Sequence, residues 1–119
     1  MATVTPTVQY IPNGQANAVL VTWSNMANGD VGAPVEGVDY ADRTVQFGGT
    51  FGVGGSVTFE GSNNNSAYVA LTDPQGNAIT KTAAALEVIE EGPRYARPNV
   101  TAGDGSTAIT VTLWGRRSR

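Results

Sequence analysis

Histidine and cysteine are both absent from this 119-residue chain. The commonest general base, the thiolate nucleophile and the usual zinc ligands are therefore missing together. A serine nucleophile would need some other activator, and nothing around Lys81, the only lysine, would desolvate its amine. What remains is carboxylate chemistry. Asp39 with Asp42, or Glu90 with Glu91, are the candidate acid/base pairs of the kind a glycosidase sets across a scissile bond; as near neighbours in sequence they read better as solvated loop charges. Asp39-Tyr40-Ala41-Asp42 and Asp104-Gly105-Ser106 offer oxygen ligands for calcium, but neither follows the spacing of an EF-hand loop. The glycines from Gly48 to Gly55 are not followed by Lys-Ser/Thr and a helix, so they serve a tight turn or bulge rather than a phosphate cradle. These residues predict no catalytic centre, no metal and no cofactor, which leaves surface recognition. Trp23, Tyr68 and Trp114 would make a sugar-stacking platform if they shared an exposed face; packing of Trp23 and Tyr68 at the core or its rim is the competing reading.

Composition suits a protein that works by being covered. Charged residues make up only 14% of the chain, against a usual share of about 25%, so Thr, Asn, Ser, Gly and Gln must form most of the surface. Charge is unevenly placed: residues 1–91 carry nine acidic and two basic side chains, whereas residues 92–119 carry five arginines and Asp104 alone. A basic tail and an acidic body favour contacts with a neighbouring protein. The net charge of −3 does not draw phosphate, which argues against nucleic acid as a partner. No stretch has the length of a membrane span, and Met1 to Pro6 lacks the basic start and apolar run of a secretion signal, so synthesis in a cytoplasm is expected.

The elements that must carry such a surface are strands. Thr3 to Ile11 is rich in Thr, Val and Tyr and is broken by Pro12-Asn13-Gly14. Ala18 to Trp23 reads as a buried strand, stopped by the polar stretch Ser24 to Asp30. Val31 to Tyr40, with Gly32, Pro34 and Gly37, is a loop or at most an edge strand. Val45, Phe47 and Phe51 share one face of an extended segment, and Val57 and Phe59 alternate with polar neighbours. Asp73-Pro74-Gln75-Gly76 has the preferences of a type I turn. Lys81 to Glu91 is short and uncapped, and reads as a strand with at most one helical turn. Pro98 argues that Tyr95 to Val100 is an edge strand or bulged. Asp104-Gly105 suits a hairpin turn before Thr107 to Trp114, in which Ile109, Val111 and Leu113 face inward and Thr110, Thr112 and Trp114 outward. About eight short strands without a long amphipathic helix predict an all-β fold: an antiparallel β-sandwich, jelly-roll-like. Residues 1–12 form an N-terminal arm or first strand, and residues 13–119 the single sandwich domain.

Several of these segments, read together, resemble a known class. They are Gly48-Gly49-Thr50-Phe51-Gly52, the run Ser56 to Asn63, the run Leu71 to Asn77, Pro93-Arg94-Tyr95-Ala96-Arg97-Pro98, and Thr101-Ala102-Gly103-Asp104-Gly105. Across roughly residues 43–117 the chain is similar to small β-sandwich proteins encoded among the head genes of tailed bacteriophages. The resemblance implies a decoration (cement) protein on the outer surface of the virion head. Its partners would be the major capsid protein and other copies of itself, with a trimer at threefold lattice positions the first expectation. In that role Thr3, Val4 and Thr5 of the arm would pair with a capsid sheet edge, Trp114 would make contact from the last strand, and Arg116, Arg117 and Arg119 would meet capsid carboxylates. Glu60-Gly61-Ser62-Asn63 and Arg94-Tyr95-Ala96-Arg97 also resemble galactose-binding jelly rolls, which makes a carbohydrate-binding module on the virion the alternative. A tail or head-completion structural protein is the third.

Overall fold

The computed structural model describes residues 1–11, 17–37 and 40–117. Twelve strands follow one another along these residues, with no helix among them: Thr3–Val4 (β1), Thr7–Ile11 (β2), Ala18–Met26 (β3), Val31–Gly32 (β4), Val35–Glu36 (β5), Asp42–Thr50 (β6), Ser56–Ser62 (β7), Val69–Ala70 (β8), Thr80–Lys81 (β9), Ala85–Val88 (β10), Tyr95–Ala102 (β11) and Ala108–Arg116 (β12). The count exceeds the expected eight because several strands are only two residues long and carry no periodic signal of their own.

The strands form two facing sheets. One runs β10-β6-β12-β3-β2; the other runs β1-β4-β11-β7-β8, with β5 also on β11 and β9 also on β7. All pairings are antiparallel except β1 with β4. Alternation along the long strands sends Val45, Phe47, Ile109, Val111, Val57, Phe59 and Val100 into the space between the sheets, where all are fully buried. Trp23 of one sheet meets Phe59 of the other edge-on, ring centroids 6.0 Å apart at 68°. Its indole N–H donates to the Ala33 carbonyl at 3.0 Å, so the largest core side chain leaves no polar atom unsatisfied. Accessible surface is 6096 Å², close to the about 6,100 Å² that size scaling gives a compact 12 kDa monomer.

Four local expectations are corrected. The strand through Trp23 does not stop there but continues to Met26. Against β12 the register slips between Ile109 and Val111, and Asn25 adopts φ 54° with its N–H donating to Thr110 Oγ1 at 3.2 Å. This bulge breaks the two-residue period and turns both Trp23 and Met26 inward, each completely buried. Asp104-Gly105 does not close a hairpin, because β11 and β12 lie in different sheets and the turn is an arch between layers. Lys81 to Glu91 contains β9, a bend and β10, again in different sheets, and no helical turn.

Pro98 sits neither on an edge strand nor at a bulge, but in β11, central in its sheet. Its partner Phe59 spends its N–H on Ile79 and its carbonyl on Leu71, both on the far side of β7. The Phe59–Pro98 pair therefore exchanges no hydrogen bonds. The proline nitrogen faces the interval between β5, which ends its pairing at Ala96, and β4, which begins at Asn99. A residue without an N–H loses no ladder bond there.

One turn matches its sequence reading. In Asp73-Pro74-Gln75-Gly76 the Gly76 N–H donates to the Asp73 carbonyl at 2.9 Å, while the Asp73 carboxylate accepts from the Gln75 and Asn77 N–H groups at 3.0 Å. Asn28-Gly29 lies in a turn closed by the Asp30 N–H on the Ala27 carbonyl at 3.0 Å. Pro12-Asn13-Gly14 lies outside the described residues.

Candidate protein interface

The outer face of the five-stranded sheet follows from its register. Asp42, Thr44, Gln46 and Gly48 alternate with the buried residues of β6, and the pairings line them up with Arg116, Trp114, Thr112 and Thr110 of β12. Leu20 and Thr22 extend these rows on β3, Gln9 and Thr7 on β2, and Val88 and Leu86 on β10. One row across the sheet reads Gln9, Leu20, Trp114, Thr44, Val88. Trp114 is thus half-buried only by its cross-strand neighbours, outward as its alternation with Leu113 requires. Leu86 of the next row is 64% exposed.

Among the described residues of these five strands, the charges on this face are Asp42 and Arg116, at one end and joined to each other with Arg116 Nε 3.1 Å from Asp42 Oδ2. The rest is threonine, glutamine and aliphatic surface. Covering such a face strips no isolated charge of water, while its threonine and glutamine side chains would need hydrogen-bond partners across the contact.

The opposite outer face has a different chemistry. On β11 and β7, Tyr95, Arg97 and Asn99 stand beside Ser62, Glu60 and Thr58. Arg97 Nε donates to Glu60 Oε1 at 2.8 Å, and the guanidinium lies 3.7 Å from the centre of the Tyr68 ring. The Tyr68 hydroxyl donates to the Asn65 side chain. Partial desolvation pushes the Tyr68 phenol up, against the opposing pull of Arg97. Arg94 pairs with Glu36 at 3.2 Å. These polar groups satisfy one another.

The sugar platform of three aromatics does not exist. Trp23 is in the core, Tyr68 stands over one sheet with a ring face covered by Arg97, and Trp114 lies on the other sheet. The strand alternation that buries Trp23 is what separates them. The carboxylate pairs are not assembled for acid/base work either: Glu91 accepts from the Thr72 N–H at 2.8 Å and from its hydroxyl at 2.5 Å, while Glu90 is exposed. Partial burial raises the Glu91 carboxyl, but the Thr72 hydrogen bonds outweigh it and hold the group below its ordinary value. Asp39 is outside the described residues. Asp104 is an anchor for backbone, accepting from Val53 N–H at 2.9 Å and from Ser106 N–H and Oγ at 2.9 and 2.7 Å, which lowers its pKa to about 2. Among the described residues no three His, Cys, Asp or Glu side chains stand together as a ligand set, and no helix is long and apolar enough to cross a membrane.

The remaining sequence candidates fall as follows. Thr3 and Val4 are paired within the chain as β1: Val31 N–H donates to the Ala2 carbonyl at 2.9 Å and Ala33 N–H to the Val4 carbonyl at 2.8 Å. The buried Asp30 carboxylate accepts from Ala2 N–H at 3.0 Å and from Ala27 N–H at 2.9 Å. Their backbone on the β4 side is therefore committed to the protein's own sheet. Thr5 is exposed between β1 and β2. Arg116 reaches Asp42, and Arg117 lies 5.9 Å from the Tyr40 ring centre. Arg119 is outside the described residues. Leu20, Leu86 and Val88 were not legible as contact residues: Leu20 is hidden in an unbroken apolar run, and the other two lie where strand and helix patterns overlap.

No protein-family model matches the chain, and no curated protein sequence does. A solved structure does match in fold, that of the SPBc2 prophage-derived protein YomS, with a TM-score of 0.61 and 12% identity, over 82% of this chain and 93% of that one. This chain shares with that protein its all-β sandwich architecture.

Proposed function

We propose that the protein is a bacteriophage structural protein, a decoration protein that binds the outer surface of the capsid through the exposed face of its five-stranded sheet, centred on Trp114. The observation that carries this reading is the contrast between faces: one is polar and internally paired, the other offers Leu20, Trp114, Val88 and Leu86 among threonines, with no unpaired charge among its described residues. The prophage origin of the structural neighbour supports a phage setting.

Size is in keeping with the role. The 36 residues of the five strands, at about 4.8 Å spacing and about 3.3 Å rise per residue, make a face of about 570 Å² in projection. A standard interface uses about 800 Å² on each partner. A protein that bridges neighbouring capsomers adds interface that must be broken before they separate, and many copies sum to a large effect. Self-association on the lattice, as a trimer, belongs to the same reading.

The test is sedimentation of purified protein with undecorated heads. Association that is lost in Trp114→Thr, with the variant melting as the parent does, supports the face; no association of the parent overturns the decoration role. Retention of the parent on a polysaccharide column would point instead to the carbohydrate-binding alternative.

A further inference from the structure

At the β2 edge the two sheets part. Val8 and Tyr10 stand opposite the buried Val21 and Val19 and so face inward, yet they are 44% and 49% exposed. Across the cleft from them, among the described residues, stand Pro34, the two-residue strand β5, and Tyr95 at the start of β11. The result is a cleft of about 390 Å³ walled by Val8, Tyr10, Val35, Tyr40 and Leu113, within the size range of small-molecule sites.

A cation stands in its lining. Arg43 projects inward from β6 and is 3% exposed. One terminal nitrogen donates to the Glu91 carbonyl at 2.9 Å, while Nε is buried without an acceptor. No carboxylate of the described residues lies within 4 Å of the guanidinium. Glu36, also on the cleft, has Arg94 as its counter-ion. Burial pulls the Arg43 pKa down, but arginine does not lose its proton in a protein, so the charge persists. Among the described residues its one acceptor is a neutral carbonyl; a buried charge so placed is costly, and an anion would complement it.

We propose that this cleft binds a small carboxylic acid with an apolar body, its carboxylate paired with the Arg43 guanidinium and its hydrocarbon part lying over Val8 and Tyr10. Apolar walls select the body and the guanidinium selects the head, so a neutral analogue of the same shape loses the charged contact and binds at least about tenfold more weakly. The site is separate from the outer face of the five-stranded sheet, and each stands or falls without the other.

The experiment is an NMR titration of the full chain with 3-phenylpropionate, and with 3-phenylpropanol as its neutral twin. Saturable shifts at Val8, Tyr10 and Val35 with the acid, at least about tenfold weaker with the alcohol, are expected. Arg43→Met should abolish the preference. Tyr10→Glu, at an exposed position, removes an apolar wall and sets a like charge at the mouth, and should abolish binding of the acid even if Arg43→Met proves poorly folded. Equal binding of acid and alcohol, binding of neither, or retained affinity for the acid in Tyr10→Glu overturns the proposal. A third arm uses the peptide acetyl-Ala-Val-Leu with a free or amidated C-terminus; binding of the free-terminus peptide alone, without the small acid, would reassign the cleft to a protein terminus and equally overturn it.

Discussion

Gly32 is surrounded so closely that a single methyl group would collide with its neighbours: an added Cβ would lie 2.6 Å from Pro98 Cδ and 2.7 Å from two atoms of the Trp23 ring. Neither neighbour is a flexible tip, because one is a ring within a central strand and the other fills the core. Gly32→Ala should lower stability by about 1–3 kcal/mol, read as a fall in the urea midpoint at unchanged slope. Asp104 gives a pH signature at the same scale. Its folded-state pKa of about 2 lies below the ordinary 3.8, so the stability it contributes is complete above 3.8 and is lost as pH falls toward about 2. Glu91, also lowered, acts with the same sign. Asp104→Asn should therefore flatten the melting temperature's dependence on pH between about 4 and 2. A titration of the Asp104 carboxyl carbon followed by NMR should have its midpoint near the lower figure.

Among elements, β3 shows how a broken pattern can serve packing. The bulge at Asn25 lets two large side chains three residues apart enter the core together, and it needs a residue that tolerates positive φ. Asn25→Val should destabilise by about 1–2 kcal/mol, whereas Asn25→Gly should be nearly neutral, both measured by chemical denaturation. This is also where reading the sequence fell short. Alternation identified Val57, Phe59, Ile109, Val111 and Leu113 as core residues because each lies in a regular run. The polar residues after Trp23 concealed the continuation to Met26, since a bulge cancels the very period on which such readings depend. The arm is a second case: nothing in Thr3-Val4-Thr5 signals a parallel partner, which lies 28 residues on and is held by the Asp30 carboxylate. Deleting residues 1–6 should strip the β4 N–H groups of their acceptors and lower the melting temperature, so any loss of capsid binding by that truncation has to be read beside its stability.

For the molecule as a whole, the two faces predict different responses. Lys81 and Glu87 join β9 to β10 across the gap between sheets at one edge, at 2.5 Å, while the opposite edge is left open at β2. With no unpaired charge among the described residues on the outer face of the five-stranded sheet, association through Trp114 should weaken little as salt is raised, and sedimentation with heads at low and high ionic strength checks this. The all-β class and the outward Trp114 could be read from residue patterns. Which strands are neighbours could not, because pairing between sheets is set by how apolar faces fit together and leaves no trace in local spacing.

That pairing has a consequence for how the chain is made. β12 lies between β6 and β3, and its register spans nearly the whole length of each. Until a ribosome has released residues 108–116, the sheet that carries Trp114 lacks its middle, and β3 and β6 have no route to one another. Copies broken off early in translation lack that outer face, so the order of the strands ties its appearance to synthesis of residues 108–116.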